Sequence, residues 1–215
     1  MKQKVMRGLI LSACVCAAAV AVAGQQPARA PRRGGGLDSL SLSSTAERAA
    51  AASAGAPQWQ TFAPEGMGFS VSVPGVPEEP TQARREQGRL SGQIRTYRLT
   101  VGGLKYEVMR TGGLPEQLMS QPDFAEKFFV SMTPGLSAAL QVEHPQLDFR
   151  LSSQQSISLA GYEGREYEFA AAGHRAVVRL FLIERAIYAL SVLGGKNEMT
   201  PDKVNKFFDS FALAQ

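Results

Sequence analysis

Cysteine is nearly absent from this chain. The two that occur, Cys14 and Cys16, both lie close to the N-terminus. Everything after Cys16 therefore lacks disulfides, thiolate nucleophiles and cysteine metal ligands. A domain of about 160 residues does not need them, because a domain near this size buries roughly two thirds of the surface that its unfolded chain exposes. We expect a domain stabilised by its own hydrophobic core.

Histidine, the commonest catalytic base and metal ligand, is also scarce. His144 precedes Pro145, and His174 follows Gly173 at the start of an apolar run. Neither has a second histidine or a cysteine at ligand spacing, whereas a zinc site usually needs three or four such ligands. We interpret both as turn or surface residues and expect no metal site.

Short motifs of catalysis and cofactor binding are missing too. The chain has no Gly-x-Ser-x-Gly elbow, which is typical of serine hydrolases, and no Gly-x-Gly-x-x-Gly or Walker-type run. Its glycine pairs, such as Gly102-Gly103, are interpreted as turns. We expect no catalytic residue and no nucleotide or other cofactor.

A basic surface for nucleic acid is not indicated either. Residues 57–215 carry 16 basic and 17 acidic side chains, so this part is close to neutral. Proteins that bind nucleic acid concentrate Lys and Arg on one face. The formal charge of +4 for the whole chain comes from its first 56 residues.

Those first residues begin with the order of a secretory signal peptide. Basic residues precede an apolar stretch at 8–23, which ends in small side chains. We expect cleavage before Gly24, so that residues 1–23 are removed, with a weaker second site after Ala30. The mature protein is then predicted to be periplasmic or secreted.

Two other interpretations of this segment stay open. Residues 11–14 resemble a lipobox, in which a lipidated Cys14 would anchor the protein to a membrane. A polar tether normally follows such a cysteine, whereas this stretch stays apolar up to Ala23. A transmembrane anchor is less favoured, because 16 apolar residues are fewer than the roughly 20 that span a bilayer.

Residues 24–56 are rich in Ala, Gly, Ser, Pro and Arg. They have too few large apolar groups to offset the entropy lost when a backbone becomes ordered. We interpret them as a flexible basic linker, and residues 57–215 as a single globular domain. Apart from a lipidated Cys14, only this linker offers contact with a membrane, through its arginines.

Alternation with period two predicts strands along the domain. The first is Phe69–Val73, and Gly102-Gly103 supplies the turn of a hairpin that joins 94–101 to 104–110. A polar strand suited to a sheet edge is expected at 81–90. Further strands are predicted at 155–159, 163–169, 175–183 and 186–193.

Helical spacing follows the hairpin and returns at the C-terminus. The first helix is expected to begin near Pro122 and to end near Pro134, with a short second helix at 136–140. The last begins at Pro201, with Thr200 as its cap. Because hairpins dominate, the fold class is α+β: a mostly antiparallel sheet covered by two or three helices.

Four stretches carry a resemblance to a known family. They are 68–74, the pair 179–183 and 187–192, and the closing 207–211. Together with the order of elements, they resemble the PsbP-like α/β/α sandwich, over residues 58–215. Many uncharacterised exported bacterial proteins carry the same resemblance. It implies that fold and a role in association with a larger complex, because named members of the family attach to one.

The acidic cluster Glu163, Glu166 and Glu168 is the strongest candidate for chemistry, because paired carboxylates can share acid and base roles. On a strand, Glu166 and Glu168 lie on one face and Glu163 on the other. Arg179 interrupts an apolar strand predicted to pair with this one. We expect an ion pair from Arg179 to one of those two glutamates, and a structural role for the cluster.

Three functional hypotheses follow. The favoured one is a non-enzymatic interaction or assembly module whose partner is another envelope or secreted protein, bound through an exposed patch that includes Trp59, Phe62 or Met67. The alternatives are a carrier of a small apolar ligand and a carboxylate-based hydrolase that uses the acidic cluster. The ligand of such a carrier would lie against Phe124, Phe128, Phe129 and Met132.

Overall fold

A computed structural model describes residues 58–87 and 90–214 of the 215 residues. The predicted signal peptide (1–23), the lipobox cysteine Cys14 and the linker (24–56) lie outside the described residues, so these assignments stay predictions. The strands and helices, in chain order, are β1 (Gln60–Phe62), β2 (Phe69–Val73), β3 (Thr81–Gln87), β4 (Leu90–Val101), β5 (Leu104–Thr111), α1 (Glu116–Met119), α2 (Phe124–Glu143), β6 (Arg150–Leu159), β7 (Tyr162–Ala171), β8 (His174–Ile183), β9 (Ala186–Gly195), α3 (Pro201–Asp209) and β10 (Ala212–Leu213).

Seven strands form one sheet in the order β3-β4-β5-β9-β8-β7-β6, and every neighbouring pair is antiparallel. The strands β8 and β9 lie inside this sheet, and most of their residues are buried on both faces. This follows from their composition, since a strand with few polar positions needs cover on each side. The sheet therefore needs two covering layers.

One layer contains α3 and a small sheet in the order β1-β2-β10. Tyr106 and Leu190 project from the large sheet toward this layer, where they pack with Phe69 and Phe207. The rings of Tyr106 and Phe207 meet edge to face, with centroids 5.3 Å apart. Burial raises the pKa of Tyr106 to about 12, so its phenol is neutral in the core.

The second layer is α2, which lies on the opposite face of the large sheet. Phe129 of this helix packs with Tyr167, Leu180 and Leu182 of the sheet. The Tyr167 hydroxyl donates a hydrogen bond of 2.6 Å to the carbonyl oxygen of Phe129. The fold is thus an α+β sandwich of helix, sheet and helix, as the sequence predicts.

The predicted hairpin is confirmed. Val101 pairs with Leu104, and the turn between them places Gly102 and Gly103 at φ of 57° and 75°. Residues with a side chain rarely adopt such values, which explains a glycine at both positions. The apolar alternation of β4 and β5 then lies on the face that α3 and the small sheet cover.

The predicted end of the first helix near Pro134 is wrong. A single helix, α2, runs from Phe124 to Glu143 and replaces the two short helices expected there. Proline removes the hydrogen bond to the carbonyl four residues earlier, which belongs to Val130. Both residues are exposed, so water can satisfy that carbonyl, while the buried Leu136 holds the second half against the sheet.

Two smaller features differ from expectation at helix ends. The side chain of Thr200 makes no capping hydrogen bond, although Pro201 does occupy the first position of α3 as predicted. Burial of Val204, Phe207 and Phe208 stabilises this helix instead. The four-residue helix α1 is too short to give a helical period, and the sequence did not predict it.

Close packing within the sheet makes Gly164 a sensitive position. A Cβ there would lie 2.7 Å from Cε1 of Phe181 and 2.8 Å from the carbonyl oxygen of Leu180. We expect Gly164→Ala to lower the free energy of unfolding by about 1–3 kcal/mol, because the neighbouring strand must shift. Urea denaturation measures this loss.

The matched control is Gly112→Ala, where a Cβ would meet no atom closer than 3.6 Å. Its free energy of unfolding should stay within about 0.5 kcal/mol of the parent protein. Equal losses for the two variants would contradict this packing of β7 on β8.

Candidate functional site

The acidic cluster lies on β7, and its main contact is the predicted ion pair. Glu166 is directly opposite Arg179 of β8, and Nε of Arg179 lies 2.7 Å from Oε2 of Glu166. The same guanidinium reaches Asp209 at the end of α3, at 3.0 Å, and lies 4.7 Å from the ring centroid of Phe208. Arg179 thus joins the sheet to α3.

Glu168 forms a second pair of the same kind. Arg175 of β8 donates two hydrogen bonds to its carboxylate, at 2.7 and 3.0 Å. Glu163, which the alternation places on the other face of β7, is exposed near the start of the strand. The second oxygen of Glu166 accepts a hydrogen bond of 2.8 Å from Gln155 of β6.

This geometry is that of a cross-strand ion-pair network on a sheet face. All four carboxylate oxygens of Glu166 and Glu168 accept a hydrogen bond from an arginine or glutamine. Such pairs match opposite charges between strands and fix their register. The arrangement supports the structural interpretation of the cluster, since its carboxylates are occupied in binding side chains of the same protein.

Histidine positions offer no cluster for a metal. His144 follows α2, and its ring packs edge to face on Phe149, with centroids 6.2 Å apart. His174 begins β8, with Nδ1 3.0 Å from the carbonyl oxygen of Ala172. Within residues 58–87 and 90–214, no three His, Cys, Asp or Glu side chains lie close enough to hold a metal ion.

The electrostatic environment of His144 favours its neutral form. Burial lowers the pKa of His144, and the charges of Lys105 and His174 act in the same direction, whereas Glu143 opposes them. Its Nε2 is buried and finds no hydrogen-bond partner in the described part of the chain. His174 thus acts on His144, which their separation in the sequence did not indicate.

The aromatic patch expected around Trp59, Phe62 and Met67 is not an exposed surface. Met67 is only 2% exposed and belongs to the core. Phe62 and Trp59 are half-buried against that core, and the indole packs edge to face on Tyr106, with centroids 6.0 Å apart. The reason is the small sheet, which folds this segment back onto the large one.

The residues proposed to line a ligand carrier pack against the sheet and one another. Phe128, Phe129 and Met132 are buried on α2, and Phe124 is half-buried at its start. The rings of Phe128 and Phe129 meet edge to face at 5.4 Å, and Phe124 stacks on Phe128 at 6.1 Å. These contacts are typical of a hydrophobic core and favour that interpretation over a ligand site.

The feature that sequence reasoning missed is the position of β6 at the edge of the sheet. This strand is the last of the large sheet, and no described strand pairs with its outer side. Eight of its ten residues are exposed. The pairing with β7 is irregular between Leu151 and Ser153, so the regular ladder covers 153–159.

A signal for this strand was present in the sequence. Residues 151–159 read LSSQQSISL, with no charged residue and no proline. The predicted strand began only at residue 155, because Ser and Gln are weak strand formers and hide the start of the element. Its position at the sheet edge depends on strand order, which local patterns do not report.

One comparison with a solved structure supports the architecture. The structure resembles the solution structure of the cyanobacterial PsbP protein from Synechocystis, with a TM-score of 0.50 over 75% of this chain and 95% of that chain. The fold is PsbP-like. Only 8% of residues are identical, so the likeness shows the fold alone.

The other comparisons give less information about the fold. A protein of unknown function from Pseudomonas aeruginosa, described as a putative regulator, matches 66% of this chain and 86% of its own, at 12% identity and a TM-score of 0.33. That score is too low to support an argument. No family model and no curated protein matches the chain.

A double-mutant cycle tests whether the Arg179–Glu166 pair is structural. We expect Arg179→Gln to lower the free energy of unfolding by about 1–3 kcal/mol, because it leaves a largely buried carboxylate with fewer donors. The double variant, Arg179→Gln with Glu166→Gln, should lose less free energy of unfolding than the two single variants together, with a coupling energy of about 0.5–2 kcal/mol. Urea denaturation of the four proteins gives this value.

Arg150 and Asp148 provide the control cycle, because both side chains are mostly exposed, at 81% and 71%. Their coupling, measured with Arg150→Gln and Asp148→Asn, should stay below about 0.5 kcal/mol. A coupling for Arg179 and Glu166 no larger than this would argue against a structural network.

Proposed function

We propose that this protein is an exported interaction module that binds another envelope or secreted protein, and that a strand of the partner adds to β6. The observation that carries the proposal is the uncharged outer ladder at 153–159. Export is supported by the signal-like first 23 residues. Within residues 58–87 and 90–214, no helix has both the length and the hydropathy to cross a bilayer.

An outer strand presents backbone N–H and C=O groups that another strand can pair with. Natural sheets commonly block such edges with charged side chains, proline, bulges or a covering loop. The other edge strand, β3, has the sequence TQARREQ, in which three of seven residues are charged. Between 151 and 159, β6 has neither charge nor proline, and among the described residues the one such device is the irregularity near residue 152.

Addition of a strand is a common mode of peptide recognition. Main-chain hydrogen bonds supply the affinity, and side chains at alternate positions supply the specificity. On one face of the ladder the residues at 154, 156 and 158 are glutamine and serine, and on the other Ser153 and Gln155 precede the half-buried Ile157 and Leu159. The exposed positions therefore favour polar extended segments. The ladder of seven residues is long enough for such a segment, since strands of five to six residues are common.

The family resemblance points in the same direction. The resemblance to the PsbP-like family implies association with a larger complex, and the fold of this chain is similar to that of a cyanobacterial PsbP protein. For the acidic cluster and the phenylalanines of α2, the contacts with neighbouring side chains already account for the geometry. The outer side of β6 is the feature that those internal contacts leave unexplained.

Site-specific photo-crosslinking in the native host tests this proposal. A photoreactive amino acid replaces Gln154 on β6 or, as a control, Asn205 on α3, and both positions are exposed. We expect illumination to crosslink the photoreactive residue at position 154 to an extended segment of one partner protein, which mass spectrometry identifies. The residue at position 205 should give no such product.

Variants that add positive charge to β6 test whether the partner pairs with this edge. Ser153→Lys with Ser158→Lys should reduce the crosslinked product at least ten-fold, because edge lysines oppose pairing. The control, Gln146→Lys with Asn197→Lys, adds the same charge at exposed positions elsewhere and should leave the product unchanged. A product that survives the edge lysines, or one formed with a second copy of this chain, would contradict the proposal.

A further inference from the structure

Arg95 and Arg110 lie directly opposite each other on β4 and β5. They share the sheet face that carries Tyr97 and Val108, because alternate residues of a strand point the same way. Opposed residues of antiparallel strands have Cβ atoms about 4.5–5.5 Å apart, and like charges in this position destabilise a sheet. A pair of neighbouring arginines therefore lowers the stability of the folded sheet.

No carboxylate offsets this charge in the described residues. The structure describes the side chains of eight arginines, and five of them form ion pairs with Asp or Glu: Arg98, Arg150, Arg165, Arg175 and Arg179. Arg185 donates instead to a carbonyl oxygen, that of Leu114. Arg95 and Arg110 are thus the two guanidiniums with no anionic partner that also lie side by side.

Both arginines are half-buried and held in place. Nε of Arg110 donates a hydrogen bond of 3.0 Å to the hydroxyl of Tyr188, and the guanidinium lies 5.6 Å from the centroid of that ring. The hydroxyl in turn donates to the carbonyl oxygen of Met67, at 3.2 Å. Tyr188 therefore orients Arg110 before any ligand arrives.

Arg95 is oriented by a weaker contact. Its Nη1 lies 3.6 Å from the sulfur of Met67, and a thioether is a poor acceptor. Each guanidinium carries five N–H groups, so four on each have no acceptor among the described residues. These donors are available to a ligand or to water.

Exposed residues border the pair. Gln82, which lies opposite Arg95 on β3, is exposed. The loop that contributes Met67 contains Gly66, where a Cβ would meet no atom within 4 Å. Gly68 in the same loop has a φ of 70°, and a Cβ there would lie 3.4 Å from the hydroxyl of Tyr188, so the backbone comes close to the site.

We propose that Arg95 and Arg110 form a binding site for a dianionic phosphate group. Guanidinium groups bind oxyanions through paired N–H donors, and two of them match the charge of a phosphate dianion. A carboxylate would neutralise only one of the two charges. This site lies near the β3 end of the sheet, whereas the proposed protein-binding strand β6 lies at the other end, so the two proposals are independent.

Titration of the folded protein with inorganic phosphate at pH 8 tests the proposal. Backbone amide shifts are followed by NMR, with the ionic strength held constant by sodium chloride to separate binding from screening. We expect saturable shifts centred on residues 66–68, 95, 110 and 188, and at least ten-fold weaker binding of acetate. Phosphate should also raise the unfolding temperature, because it binds the folded chain.

Variants locate the site. Arg95→Gln and Arg110→Gln should each weaken phosphate binding at least ten-fold, since hydrogen bonds to charged groups are lost. Arg150→Gln removes the same charge from a surface pair elsewhere and should leave the affinity unchanged. Arg95→Gln removes one of two opposed charges and only a weak contact with Met67, so it should not lower the unfolding temperature without phosphate, and a fold defect is distinguishable from a binding defect.

A second probe, phenyl phosphate, identifies the source of the group. Tighter binding of this ester than of inorganic phosphate indicates a phosphate carried by a larger molecule, and equal binding indicates the free ion; both results support the site. Three results would overturn it: no saturable shift, equal affinity for acetate and phosphate, or an equal loss in Arg150→Gln.

Discussion

Burial of β8 and β9 on both faces is the constraint on which the rest of the structure depends. Leu190 and Val192 are completely buried on one face, and Leu180 is 1% exposed on the other. Exposing the apolar side chains of both faces to water is unfavourable, so the fold needs a layer on each side of the sheet. The helix α2 forms one, and α3 with the small sheet forms the other, while arginines such as Arg179 join a layer to the strands beneath it.

The same constraint explains where the candidate surfaces lie. Both faces of β8 and β9 are covered by the core, and the aromatic segment at 59–67 is folded onto that core. The surfaces that remain for binding lie on strands away from this centre. There, β6 presents an uncharged outer ladder, and the β4–β5 hairpin holds two arginines that no described carboxylate pairs with. These features lie at opposite ends of the strand order and involve different physical interactions.

Sequence patterns predicted the strands well where buried and exposed residues alternate along the chain. Phe69–Val73 and the Gly102-Gly103 hairpin are examples, because the side-chain period of a strand and the residues of a turn depend only on neighbouring positions in the sequence. That two-residue turn also sets the register, so the opposition of Arg95 and Arg110 was accessible from the sequence. The continuation of α2 through Pro134 was not, since the penalty of a proline depends on whether water reaches the freed carbonyl. Nor was the edge position of β6, because strand order arises only when distant segments meet.

Amide hydrogen exchange of the purified chain, resolved by residue, is the most direct test of the central claim that β6 is an open edge. The account predicts slow exchange throughout β8 and β9, and alternation along 153–159 between amides bonded to β7 and amides that face solvent. Uniformly slow exchange along β6, at a concentration where the protein is monomeric, would show that another part of the chain already covers this edge. That result would contradict a site for an added strand.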